Sequence, residues 1–87
     1  SEKLVPELKN KKEITKKQKE MISDVRVQYK AKIADKDVMF QDKLRKLHDR
    51  YPPEEVKQVA EELHKEFAKD KTVLEEQMEK EIESIRN

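Results

Sequence analysis

The sequence predicts an all-α fold: an antiparallel two-helix coiled-coil hairpin with hendecad-like (11-residue) stripes and an N-terminal helical overhang. Three observations lead there. Two apolar stripes run at helical spacing, the first through Ile22, Val25, Tyr29, Ile33, Lys36, Phe40, Leu44, Leu47 and Tyr51, the second through Val56, Ala60, Leu63, Phe67, Lys71, Leu74, Met78, Ile82 and Ile85. A Tyr51-Pro52-Pro53 segment separates them. Folding the chain back at that segment pairs every member of one stripe with a member of the other at one register, in which paired position numbers add to 107. Tyr51 then meets Val56, Phe40 meets Phe67 and Ile22 meets Ile85, and even the lone polar members, Lys36 and Lys71, face each other.

Composition narrows the class further. The chain has 87 residues, 33% hydrophobic and 47% charged, which is too little apolar material for a thick globular core. Scattered, those apolar residues would suggest disorder; phased as they are, they favour long helices. Glycine is absent, and Leu, Lys, Glu, Gln, Arg and Met keep helix propensity high throughout. With no cysteine there is neither a disulfide nor thiolate chemistry. No run is apolar enough to span a membrane, and the expected location is intracellular, cytoplasmic or nuclear. Starting at Ser1 and stopping within a helical pattern at Asn87, the chain reads as an excerpt of a longer protein.

The N-terminal element, residues 1–21, is expected to be a basic helical overhang. Helix propensity permits a first helix from about Pro6 to about Tyr51, roughly 69 Å at 1.5 Å per residue. The second helix ends opposite about residue 20, so the hairpin proper is residues 22–87. Ile14 keeps the stripe's phase, while Lys11 and Gln18 occupy the other seam positions and Leu4 and Leu8 drift off it. Thr15-Lys16-Lys17-Gln18 has the form of a capping box, which offers an alternative helix start near residue 15.

In both long helices the stripe recurs at 11-residue intervals, as in Ile22, Ile33, Leu44 and Val56, Phe67, Met78. Such a repeat means about 3.67 residues per turn, close to a straight helix or one with slight right-handed supercoil. The turn between the helices, at Tyr51-Pro52, follows from its prolines. A residue before proline is pushed out of the α region, which applies to Tyr51 and then to Pro52. Pro53 suits the first helical position, so the second helix starts at about residue 53, with Glu54 and Glu55 placed where the helix dipole favours negative charge. So short a connection enforces antiparallel neighbours. Thr72-Val73-Leu74-Glu75 repeats the capping-box pattern, but the stripe continues in phase on both sides and the segment reads as mid-helix.

Net charge is +1, unevenly divided: residues 1–51 carry +6 and residues 52–87 carry −5. Opposite signs on facing helices favour their pairing over self-pairing of either arm.

The catalytic, metal and cofactor expectation is none. Glu61 and His64 have the Glu-x-x-His spacing of di-iron bundles, but Ala60 and Leu63 hold the seam, so both are expected to face outward. His48 and His64 lack the Cys, His or Asp partners a zinc site requires. There is no nucleophile–base arrangement and no glycine-rich phosphate loop, and two helices offer no concavity in which to shift a pKa. Lys9, Lys11, Lys12, Lys16, Lys17 and Lys19 form a basic patch suited to phosphate or an acidic protein, although interleaved Glu7, Glu13 and Glu20 also fit a solvated helix face. No Arg or aromatic residue lies among these lysines, which argues against base readout or stacking. Lys36 and Lys71 are expected to snorkel along the seam and pair with Asp37, Glu66 or Asp70; the sharper alternative is a polar layer that fixes register.

Val27, Ala31, Ala34 and Val38 step by four, three and four residues on the side of the first helix opposite its main stripe. This second face predicts a contact with another helix, which small residues would let approach closely. The expected function is therefore a non-catalytic coiled-coil structural or interaction module, a rigid spacer or docking element that self-associates or binds a partner helix. The alternative is nucleic-acid or polyanion binding through the Lys-rich segment. A homodimer or a protein partner is expected, with no membrane and no small-molecule substrate.

Overall fold

The computed structural model describes residues 13–87. They form an all-α antiparallel hairpin of two long helices, elongated to 70 × 21 × 16 Å. Helix α1 spans Lys16–Arg45, a single turn α2 spans Leu47–Arg50, and α3 spans Pro53–Arg86.

Helix α1 is started by a reciprocal cap. The Thr15 hydroxyl accepts the Gln18 backbone N–H at 3.0 Å, and the Gln18 side-chain carbonyl accepts the Thr15 backbone N–H at 2.7 Å. Thr15 is extended (φ −73°, ψ 168°) and Glu13–Thr15 is not helical, so no helix runs on from Pro6 through this point. The box satisfies two groups that a helix end would leave unpaired, and it outweighs the propensity that favoured continuation. Residues 1–12 lie outside the described residues, and with them most of the overhang.

Gln18 has a second role. Its Nε2 donates to the Ile85 carbonyl at 2.9 Å, satisfying one of the last carbonyls of α3. The same amide thus caps the start of α1 and the end of α3.

The first helix, expected to be unbroken to about Tyr51, is interrupted at Lys46 (φ −96°, ψ 4°). The Lys46 amide is shared between the Asp42 and Lys43 carbonyls, each at 3.2 Å. Neither glycine nor proline marks the site. The Asp42 carboxylate ties the end of the helix together, accepting from Arg45 Nη2 at 2.9 Å and Lys46 Nζ at 2.8 Å. These hydrogen bonds, Lys46's first, hold its carboxyl below the usual carboxylate range. Just beyond, Leu47 is buried.

The turn is extended at both Tyr51 (φ −131°, ψ 150°) and Pro52 (φ −62°, ψ 151°), as residues before proline are expected to be. Pro53 takes the first helical position, Glu54 and Glu55 fill the first turn, and the Glu55 N–H closes it on the Pro52 carbonyl at 2.9 Å. The extension has a cost for one seam residue. Tyr51 is 41% exposed rather than packed against Val56, because its non-helical backbone takes it off the helical stripe. Helix α3 runs uninterrupted through Thr72–Glu75.

The seam is one side chain thick. Ile22, Tyr29, Phe40, Leu47 and Ile82 are buried, and the remaining apolar stripe members apart from Tyr51 are half-buried. At mid-length the Phe40 and Phe67 rings stack with centroids 5.0 Å apart and planes 8° apart, an offset geometry worth about 0.5–1.5 kcal/mol beyond the area it buries.

Candidate partner-binding face

Packing one side of α1 on α3 leaves its opposite side open. Val27 is 63% exposed and Val38 67%, and Ala31 and Ala34 between them are exposed as well. On a straight helix these four lie within one narrow sector, about half a turn from Tyr29 and Phe40. The outward side of α3 differs in kind: Glu62, Lys65, Lys69 and Glu76 hold the corresponding positions, all exposed. Where the α1 face approaches the edge of the seam, Val27, Arg26, Lys30, Ile33, Glu75 and Met78 line, with Ser23, a groove of about 340 Å³.

The seam itself has two polar stations. At the first, Lys36 Nζ lies 3.9 Å from Asp70 Oδ2, with the side chains 48% and 40% exposed. Lys36 therefore turns to one of its expected acids instead of facing Lys71, which is exposed. An ion pair this wet contributes little stability. Beside it Met39, Phe40, Lys43, Leu63, Glu66 and Phe67 complete a cavity of about 110 Å³ with Lys36 and Asp70.

At the second station the Tyr29 hydroxyl donates to Glu81 Oε2. Bonding to that carboxylate, with burial adding, holds the Tyr29 hydroxyl above its ordinary value. Lys32 Nζ sits 4.5 Å from the Tyr29 ring centroid on the wet side, a cation–π contact. The ring is thus core packing and the hydroxyl a tether to α3. Sequence periodicity finds the ring; Glu81 lies outside the second stripe, and only the reach of a tyrosine side chain brings the two together.

Among the described residues, no group of three or more His, Cys, Asp or Glu side chains is placed to hold a metal ion. His48 and Glu61 are exposed. His64 is exposed as well, as expected of it, and its ring packs edge-on against Phe40, centroids 4.8 Å apart at 73°. It is an aromatic extension of the Phe40–Phe67 stack, reached because position 64 borders the seam position 63.

Of the basic patch, Lys16, Lys17 and Lys19 are exposed in the first turn of α1, which carries no acid. Lys9, Lys11 and Lys12 lie outside the described residues. Among the described residues no helix is long and apolar enough to cross a membrane. The chain matches no protein-family model, no curated protein and no solved structure, so its geometry alone carries the functional argument.

Proposed function

We propose that this chain is a non-catalytic coiled-coil module, a rigid spacer or docking element of a larger assembly, that receives another helix on the outer face of α1. In this reading both helices keep the single register set by Phe40 on Phe67, and their 11-residue stripes hold them nearly straight. The observation that carries the proposal is the exposure of Val27, Ala31, Ala34 and Val38 opposite a seam that already occupies the other side of the same helix. Scattered surface alanines and valines need no explanation; four in phase along one sector favour a contact. Alanine at the two central positions permits backbone approach near the lower end of the usual helix spacing, about 8 Å.

The test is Ala31→Glu with Ala34→Glu in one chain. A partner helix would bury two unpaired carboxylates, at a cost of several kcal/mol, enough to abolish association. Sedimentation over a concentration series, alone and with candidate partner helices, measures it. Circular dichroism should report unchanged helicity. Association that survives the double substitution removes this face from the account.

A second reading rests on the three lysines in the acid-free first turn of α1. Cations there oppose the helix dipole and are better placed for an external anion than for the helix itself. Salt-sensitive retardation of RNA or DNA, lost on Lys16→Glu, Lys17→Glu and Lys19→Glu together, would favour it.

A further inference from the structure

The outer face of α1 is longer than its apolar centre. Glu20, Asp24, Val27, Ala31, Ala34, Val38, Gln41 and Arg45 step by alternating intervals of four and three residues, and all are exposed. Those intervals read the same in both directions about the point between Lys32 and Ile33. A strip that is symmetric on reversal can meet itself with the chains antiparallel, as a two-fold interface requires. Resting on the reading of this face as a docking surface, we propose that its occupant is a second copy of this chain, with two α1 helices crossing antiparallel about a two-fold axis beside Lys32 and Ile33.

Charge selects both the occupant and the orientation. In the antiparallel arrangement Ala31 of one copy faces Ala34 of the other, and Val27 faces Val38. Asp24 then faces Gln41, an acceptor opposite an amide donor, and Glu20 faces Arg45. On the flank, Lys30 comes alongside Asp37, both exposed. Each pairing occurs twice by symmetry, so the dimer gains four opposite-charge meetings among these residues. Turned parallel, the same helices would set Glu20 on Glu20, Asp24 on Asp24 and Arg45 on Arg45. The strip therefore both rewards one orientation and penalises the other.

Among the described residues nothing obstructs the contact. Helix α3 lies on the far side of α1, so two hairpins would meet in a flat row of four helices with α1 against α1 at the centre. The Arg45 side chain is 69% exposed and held only by its surface bond to Asp42 at 2.9 Å, so it is free to take Glu20 of the other copy.

The experiment is a charge swap read by sedimentation equilibrium of the full chain at low salt, where screening is least. Wild type should dimerise. Glu20→Arg and Arg45→Glu should each weaken the dimer about tenfold, since two pairs become repulsions. Combining them should restore wild-type affinity, because reversal places the new arginine opposite the new glutamate. Circular dichroism of each variant guards against loss of folding. Single variants that leave the dimer unchanged, or a combined variant no tighter than the singles, overturn the antiparallel arrangement. Wild type that stays monomeric to millimolar concentration overturns the second copy as occupant, while the docking face itself stands or falls on Ala31→Glu with Ala34→Glu against other helices.

Discussion

Helices α1 and α3 share one seam and are built differently. Helix α3 has a single apolar stripe and a charged back: inward lie Leu63, Phe67, Leu74 and Ile82, outward Glu62, Lys65, Lys69 and Glu76. Helix α1 has an equivalent inward stripe, yet its outward side carries Val27, Ala31, Ala34 and Val38. The seam covers the apolar stripe of α3, leaving Val73 at its flank 42% exposed, and one of the two apolar faces of α1. Helix α1 is apolar on two opposite faces, and the hairpin covers one and leaves the other exposed. The asymmetry therefore separates what holds the fold from what the fold presents.

That separation can be broken at several levels. The largest effect belongs to the shared seam. Phe40→Ala or Phe67→Ala should cost about 3 kcal/mol, the low end for a buried ring, because Phe67 is only half-buried and the seam is thin. Thermal melts by circular dichroism measure it, and an unchanged midpoint in both variants would remove these rings from the core. Smaller for stability but complete for association is the outward contrast. Ala31→Glu with Ala34→Glu should leave the melt within about 0.5 kcal/mol of wild type and eliminate self-association. The matching change on α3, Lys65→Glu with Lys69→Glu, should leave both alone; equal loss of association from either pair would mean that the two backs are equivalent.

Next is the cap. Thr15→Ala should destabilise by about 1 kcal/mol, since it unmakes the Thr15–Gln18 exchange that starts α1. The finest comparison is between wild type and Tyr29→Phe as a function of pH. The Tyr29 hydroxyl is held above its ordinary value in the folded chain, so the native state keeps its proton longer than the unfolded state does. Its contribution is then fully present below the ordinary tyrosine value of 10.0 and is lost as pH rises through the raised one. Wild type should lose stability relative to Tyr29→Phe across that alkaline window in denaturant titrations; parallel curves would show that the Glu81 hydrogen bond carries no linkage.

The hairpin was legible because helical periodicity and the prolines agree. Every apolar stripe member except Tyr51 is buried or half-buried, and the second helix starts at Pro53 as its position demands. Tyr51 escaped because the rule that breaks the helix there also carries its side chain off the stripe. The interruption at Lys46 had no signal, since backbone dihedrals can open at an ordinary residue without glycine or proline. The polar ties across the seam were illegible for another reason. Gln18 to Ile85, Tyr29 to Glu81 and His64 on Phe40 depend on side-chain reach rather than on phase. In the sequence, the capping box at Thr15 carried less weight than continuous propensity; the structure shows it winning, because it satisfies two backbone-linked groups at once. Of the candidate site, phase located the outer face and exposure now describes it, whereas half of the basic patch lies outside the described residues.

The stripes of the two helices imply one register for the seam, with Leu44 of α1 expected opposite Leu63 of α3. Disulfide formation tests it directly, since bridging needs Cα atoms within about 7 Å. Cysteines at Leu44 and Leu63 should oxidise rapidly in the folded chain with no loss of helicity, and cysteines at Leu44 and Phe67, one turn out of register, should oxidise much more slowly. Equal rates, or faster closure of the offset pair, would contradict the register in which Leu44 meets Leu63.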